Sequence, residues 1–183
     1  MKLNKLMFRE YDIRGIWNED ITEEVSYYIG RAYATKLLSL KKNKMIVGYD
    51  NRLSSPIIEK NLVKGLTDGG VDVVRLGLVT TPMYYYAWDK LNIHCGIMIT
   101  ASHNPKEYNG FKMSYNGIHN CFGNEVAELY YIILNGIYSK GNGSITDANI
   151  KEDYIKMINS HINMGSNKLK VIYRQEINKK LLE

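Results

Sequence analysis

The stretch MIVGYDNRLSSPIIEKNLVKGLTDGGVDVVRL, Met45–Leu76, decides the fold. Met45–Tyr49 is a short apolar run, the pattern of a strand covered on both faces. Ser54-Ser55-Pro56 then offers a hydroxyl cap with proline at the first helical position. The helix it opens runs to Thr67 and stops at Asp68-Gly69-Gly70. Val71–Leu76, rich in β-branched residues, is the next strand. Two buried strands joined by such a helix are suited to parallel pairing, because parallel neighbours need a crossover of about a dozen residues or more.

The same alternation extends outward. Upstream, Val25, Ile29, Ala32, Tyr33, Leu37 and Leu40 repeat at helical spacing, which predicts a helix over Ile21–Leu40. Thr22 is its N-cap, and Glu23 and Glu24 complement the helix dipole in its first turn. Downstream, Thr80-Thr81-Pro82 starts a helix that reaches about Leu91. His94–Ala101 is a third apolar strand, Ser102–Asn109 a polar loop, and Gly110–Tyr115 a strand ending at the Asn116-Gly117 turn. Asn124–Gly136 is helical. The expected architecture is α/β: a layered, mostly parallel sheet with helices on both faces. Tyr138–Asn149, polar and glycine-rich, reads as a linker. After it come a helix, Ile150–Ile162, an apolar strand, Leu169–Tyr173, and a charged end, Arg174–Glu183, that suits a helix. One strand cannot make a sheet, so residues 150–183 read as the truncated start of a second α/β domain.

Composition excludes several function classes. The chain has 183 residues, 45% hydrophobic and 23% charged, enough to bury a core without disulfides. The net charge of +5 is uneven: from Lys168 onward there are five cations and two anions, leaving 19 against 17 elsewhere. The body is close to neutral, which argues against a nucleic-acid partner. Tyr84-Tyr85-Tyr86 reads as core and interface packing rather than a stacking platform for bases. No apolar run approaches the length of a membrane span, and Met1–Glu10 lacks the apolar core of a signal peptide. Cys95 and Cys121 fit no zinc or disulfide spacing, and the four histidines fit no ligand spacing. A cytoplasmic location is the expectation.

Four polar clusters lie at strand ends or tight turns, where ligands of open α/β sheets bind. In Thr100-Ala101-Ser102-His103-Asn104-Pro105, Ser102 follows a buried strand on a rigid support, beside small Ala101 and a loop stiffened by Pro105. Such a serine can act as a nucleophile or carry a phosphoryl group; an ordinary capping serine is the alternative. In Arg9–Gly15, Arg9 and Arg14 near a glycine turn can bind an anion through planar donor forks, or pair with Glu10 and Asp12. In Asp50–Ser55, Arg52 and two hydroxyls at a helix N-terminus favour an anion; capping and a salt bridge explain them equally. Asn109–Lys112 places Lys112 on a strand. A Ser-His-Asp hydrolase is disfavoured, since His103 adjoins Ser102 and no nucleophile elbow is present.

Together these clusters resemble the first domain of the α-D-phosphohexomutases. The segments are Tyr11-Asp12-Ile13-Arg14-Gly15, Gly48-Tyr49-Asp50-Asn51-Arg52-Leu53-Ser54-Ser55, Thr100–Pro105 and Asn109-Gly110-Phe111-Lys112. Their order and spacing agree over about residues 6–140, and the Tyr-Asp-Ile-Arg-Gly form is closer to the phosphomannomutase/phosphoglucomutase branch. The resemblance implies that Ser102 is the phosphoserine, exchanging its phosphoryl group with a hexose phosphate through a hexose bisphosphate. It implies Lys112 in proton transfer or charge stabilisation, His103 supporting the loop, and Tyr11, Arg14, Arg52 and Asn104 in binding phosphate and substrate. It implies Mg²⁺ on the Ser102 phosphate, and a phosphosugar as the partner.

The resemblance also implies domain boundaries: 1–140 as domain I, 141–149 as linker, and 150–183 as the start of domain II. The family's metal loop has the form Asp-x-Asp-x-Asp, and none occurs in the 183 residues. Two readings stay open here: a phosphohexomutase represented by its first domain, or a non-catalytic fragment or decayed gene copy that at most binds phosphosugars. A truncated domain would expose an apolar face and favour self-association.

Overall fold

The computed structural model describes residues 3–163 and 165. A 3₁₀ turn, Lys5–Met7, precedes β1 (Ile13–Ile16), α1 (Glu23–Ser39), β2 (Lys44–Tyr49), α2 (Ser55–Asp68) and β3 (Asp72–Leu78). Then come α3 (Thr81–Leu91), β4 (Gly96–Ile99), β5 (Tyr108–Ser114), α4 (Asn124–Asn135), β6 (Ile145–Asp147) and α5 (Lys151–His161). The strands form one sheet in the order β1-β5-β4-β2-β3-β6. β4, β2, β3 and β6 pair in parallel, whereas β5 is antiparallel to both β4 and β1.

Alternation along the strands splits the core into two layers. Met45, Val47, Val73, Ile97, Ile99, Phe111 and Met113 face one way, against α1, α2 and α4. Ile46, Val74, Leu76 and Met98 face the other way, against α3 and Ile150. The first layer is tight because α1 and α2 cross on glycines. A Cβ on Gly30 would lie 2.3 Å from the Leu62 carbonyl, and one on Gly65 would lie 2.1 Å from that of Tyr27. Neither contact can be relieved by a rotamer change, since both meet backbone.

Thr22 and Thr80 cap α1 and α3, their Oγ1 atoms accepting from Val25 N and Met83 N at 3.1 and 3.4 Å. Ser54 departs from the expected capping role: it makes no side-chain bond to α2, and its hydroxyl instead accepts from Asn109 Nδ2 at 2.8 Å. The stretch expected as a linker holds β6, which pairs with β3 and extends the sheet. Beyond it, Ile150 is buried in the second core layer, Tyr154 meets Tyr86 edge to face at 5.5 Å, and Asp153 pairs with Lys90 at 2.8 Å. The strand expected over Leu169–Tyr173 and the helix after it lie outside the described residues. Among the described residues, no helix is long and apolar enough to cross a membrane.

Candidate functional site

β4 ends at Ile99, and its edges are occupied by β2 and β5, so the chain leaves the sheet from a fixed point. Thr100 and Ala101 are still buried; Ser102 is the first exposed residue beyond them. Its backbone is left-handed, with φ of 54°. That conformation costs a non-glycine residue about 1 kcal/mol or more and persists only where its surroundings impose it. Here the Ser102 N–H donates to Thr100 Oγ1 at 2.9 Å, and Asn104 N donates to the Ala101 carbonyl at 3.1 Å.

Arg52 imposes the rest. Its Nε donates to Asp50 Oδ2 at 3.2 Å. Nη1 donates to the carbonyls of Pro105 and Tyr108 at 2.6 and 3.0 Å. Nη2 donates to those of Ser102 and Asn104 at 3.0 and 2.7 Å. A guanidinium has five N–H donors, and all of them are engaged. Arg52, expected as a phosphate ligand, is instead the clamp on the serine loop, with no donor left for an anion. Asp50 is fixed in turn by Ser55 Oγ and the Arg52 N–H, which donate to its Oδ1 at 2.8 and 3.1 Å. Buried Asn109 closes the network, donating through Nδ2 to the hydroxyls of Ser54 and Ser55.

Arg14 is the strand residue of β1 opposite Gly110, and is 9% exposed. Nη1 donates to Asn104 Oδ1 at 2.8 Å, and Nη2 to Asp12 Oδ2 at 2.5 Å. Its Nε is buried with no partner. Asn104 therefore orients Arg14 and is absent from the cleft wall. Lys112, half-buried on β5 opposite Met98, has no hydrogen-bond or ion-pair partner among the described residues.

These elements enclose an open cleft of about 580 Å³. Of the residues expected from sequence, it is lined by Tyr11, Arg14, Ser102, His103 and Lys112. Asp12, His119, Asn120 and Phe122 also line it and were not expected. Asp12 lies in the Arg9–Gly15 cluster, where pairing with arginine was the expectation; the one signal for the other three was the Asn116-Gly117 turn, after which Cys121 N donates back to the Met113 carbonyl of β5. Two cationic side chains beside an exposed hydroxyl suit a dianionic phosphate. Among the described residues, no group of three or more His, Cys, Asp or Glu side chains could hold a metal ion. Asp12, the carboxylate on the cleft, is spent on Arg14. Cys95 and Cys121 are buried away from the cleft, and burial pushes both thiols up.

Residues 5–136 match the family model described as phosphoglucomutase/phosphomannomutase, alpha/beta/alpha domain I. A phosphoglucomutase of Neisseria meningitidis serogroup B is 40% identical over 160 residues, covering 86% of this chain and 35% of the relative. A phosphomannomutase/phosphoglucomutase of Pseudomonas syringae pv. tomato is 41% identical over 167 residues, covering 91% and 35%. Among solved structures, a phosphoglucomutase/phosphomannomutase family protein from Burkholderia thailandensis superposes with a TM-score of 0.83 at 32% identity, over 88% of this chain and 37% of that one. The chain thus spans about a third of the length of the relatives it matches.

Proposed function

The chain belongs to the phosphoglucomutase/phosphomannomutase family, and from that membership we propose that it supplies the phosphoserine domain of a cytoplasmic enzyme that interconverts hexose 1- and 6-phosphates. The observation that carries this reading is Ser102, exposed and left-handed on a cleft that Arg14 and Lys112 also line. Residues 1–140 form domain I in this reading. The residues after 150 begin a further domain, anchored by Ile150 and by the Tyr86–Tyr154 and Lys90–Asp153 contacts.

The placement of groups supports a phosphoryl transfer. A sugar hydroxyl attacks the phosphorus on Ser102; the new P–O bond forms as the Ser102 Oγ–P bond breaks. The hydroxyl proton leaves and Ser102 Oγ regains one, with Lys112 as the group that holds or moves the proton. Arg14 neutralises phosphate charge, aimed by Asn104 and Asp12. His103 borders the loop and Tyr11 the cleft rim. Such a reaction depends on positioning and charge neutralisation more than on covalent chemistry by the protein. A reverse transfer from the bisphosphate restores phospho-Ser102.

The described residues do not fit a complete Mg²⁺ site: beyond a phosphate on Ser102, they offer no free cluster of ligands. Incubation with glucose 1,6-bisphosphate tests the reading. Intact-mass and peptide analysis is expected to find one phosphate, located on Ser102 and absent in Ser102→Ala. A phosphate carried elsewhere, or none on Ser102, would count against it.

A further inference from the structure

The cleft lining joins two unlike sets of groups: Arg14 and Lys112 with the Ser102 hydroxyl, and His119 and Phe122 from the loop between β5 and α4. The second set is held by bonds within its own loop. His119 Nδ1 lies 2.9 Å from the Asn120 carbonyl, and Nε2 lies 3.1 Å from Asn116 Nδ2. Asn116 uses its Oδ1 to accept from Ile118 N and His119 N at 2.9 and 3.3 Å, so its NH₂ group is the part facing the ring. A carbonyl only accepts and an amide NH₂ only donates, which assigns the proton to Nδ1 and leaves Nε2 as acceptor. Both ring nitrogens are thereby consumed within the loop.

Phe122 stands edge to face against this ring, with centroids 5.4 Å apart and planes at 67°. Its backbone N–H donates to Glu125 Oε2 at 3.2 Å, and the next N–H, of Gly123, donates to the Glu10 carbonyl at 2.7 Å. The main chain on either side of the ring is thereby pinned, yet the side chain is 51% exposed. An aromatic ring with half its surface open contributes little to the core. It lines instead the cleft that Arg14 and Lys112 also line.

We propose that Phe122 is the sugar-contacting residue of the cleft. The apolar C–H face of the hexose ring lies against the phenyl ring, while Arg14 and Lys112 hold the phosphate. Aromatic rings offer such C–H groups both apolar surface and a negative π face. His119 is a positioning residue, bracing Phe122 and taking no part in proton transfer. This rests on the phosphosugar reading above and adds which group reads the sugar rather than the phosphate.

The test titrates the full 183-residue chain by NMR with glucose 1-phosphate and, separately, with inorganic phosphate. Phe122→Ala is expected to weaken glucose 1-phosphate binding about threefold to tenfold and to leave inorganic phosphate within about twofold. Phe122→Trp, which keeps an aromatic face, is expected to restore the sugar's share. If Phe122→Ala changes neither ligand, or weakens both equally, the proposal is overturned while the phosphosugar reading stands. If the unaltered chain binds neither ligand, that reading fails and the proposal with it.

Discussion

Arg52 Nη2 donates to the carbonyl oxygen of Ser102 at 3.0 Å, across 50 residues of sequence. With the three neighbouring carbonyls it also holds, the guanidinium sets the path of the loop from Ser102 to Tyr108. The side chain is 11% exposed, so little water is at hand to replace those donors. Arg52→Lys keeps the charge but has neither the planar fork nor enough donors. We expect both Arg52→Ala and Arg52→Lys to lose roughly 3 kcal/mol of stability, read from urea unfolding midpoints. Faster amide exchange confined to residues 102–108 should accompany it. Recovery of most of the stability by lysine would show that charge alone matters.

Ser102 separates stability from chemistry. Its φ of 54° suits glycine better than any residue with a Cβ. Ser102→Gly and Ser102→Ala both remove the phosphate acceptor, yet glycine relieves the strain that alanine retains. Thermal unfolding should find Ser102→Gly more stable than Ser102→Ala by about 1 kcal/mol, even though the chain's flexibility in the unfolded state favours alanine by somewhat less. Alanine proving the more stable would mean that the loop imposes no strain there.

Glu59 on α2 makes stability depend on pH. It is 8% exposed, its Oε1 has no partner, and it shares a small cleft with Arg75 and Ile145. Burial pushes its carboxyl from about 4.5 to about 7; Arg75 opposes the rise and Asp147 adds to it. The folded chain thus keeps a proton that the unfolded chain releases from about pH 4.5 upward. The stability of the neutral form is fully present below about 4.5 and is lost as pH rises through about 7. Glu59→Gln should match the parent near about pH 4 and exceed it by roughly 2 kcal/mol near about pH 8. Urea titrations at the two pH values check this; a constant difference would contradict it.

Much of the central sheet was legible because its signals are local. β2, α2 and β3 are marked by an uninterrupted apolar run, a proline-started helix and a β-branched run, and no distant residue is needed to read them. β1 was missed because Arg14 lies within its four residues and is buried through Asn104, 90 positions away. β6 was missed because all three of its residues are exposed. It is held by Asp72, which accepts from Ser144 N and Oγ, and by Arg75, which pairs with Asp147, each 72 positions apart.

The site shows the same division. Ser102, Arg14 and Lys112 stand out by residue type, and the fold brings them to one cleft. Arg52 and Ser54 were misassigned because their partners are the 102–108 carbonyls and Asn109, which no local window contains. His119 and Phe122 reach the cleft only through the fold of the loop after β5.

Whether the Ser102 cleft receives a phosphosugar is read most directly from amide shifts of the isotope-labelled chain during addition of glucose 1-phosphate. Saturable shifts are expected at Tyr11–Arg14, Ser102–Asn104 and Lys112, with the opposite edge of the sheet at β6 unmoved. Shifts clustered on another face, or none within these three segments, would contradict phosphosugar binding there.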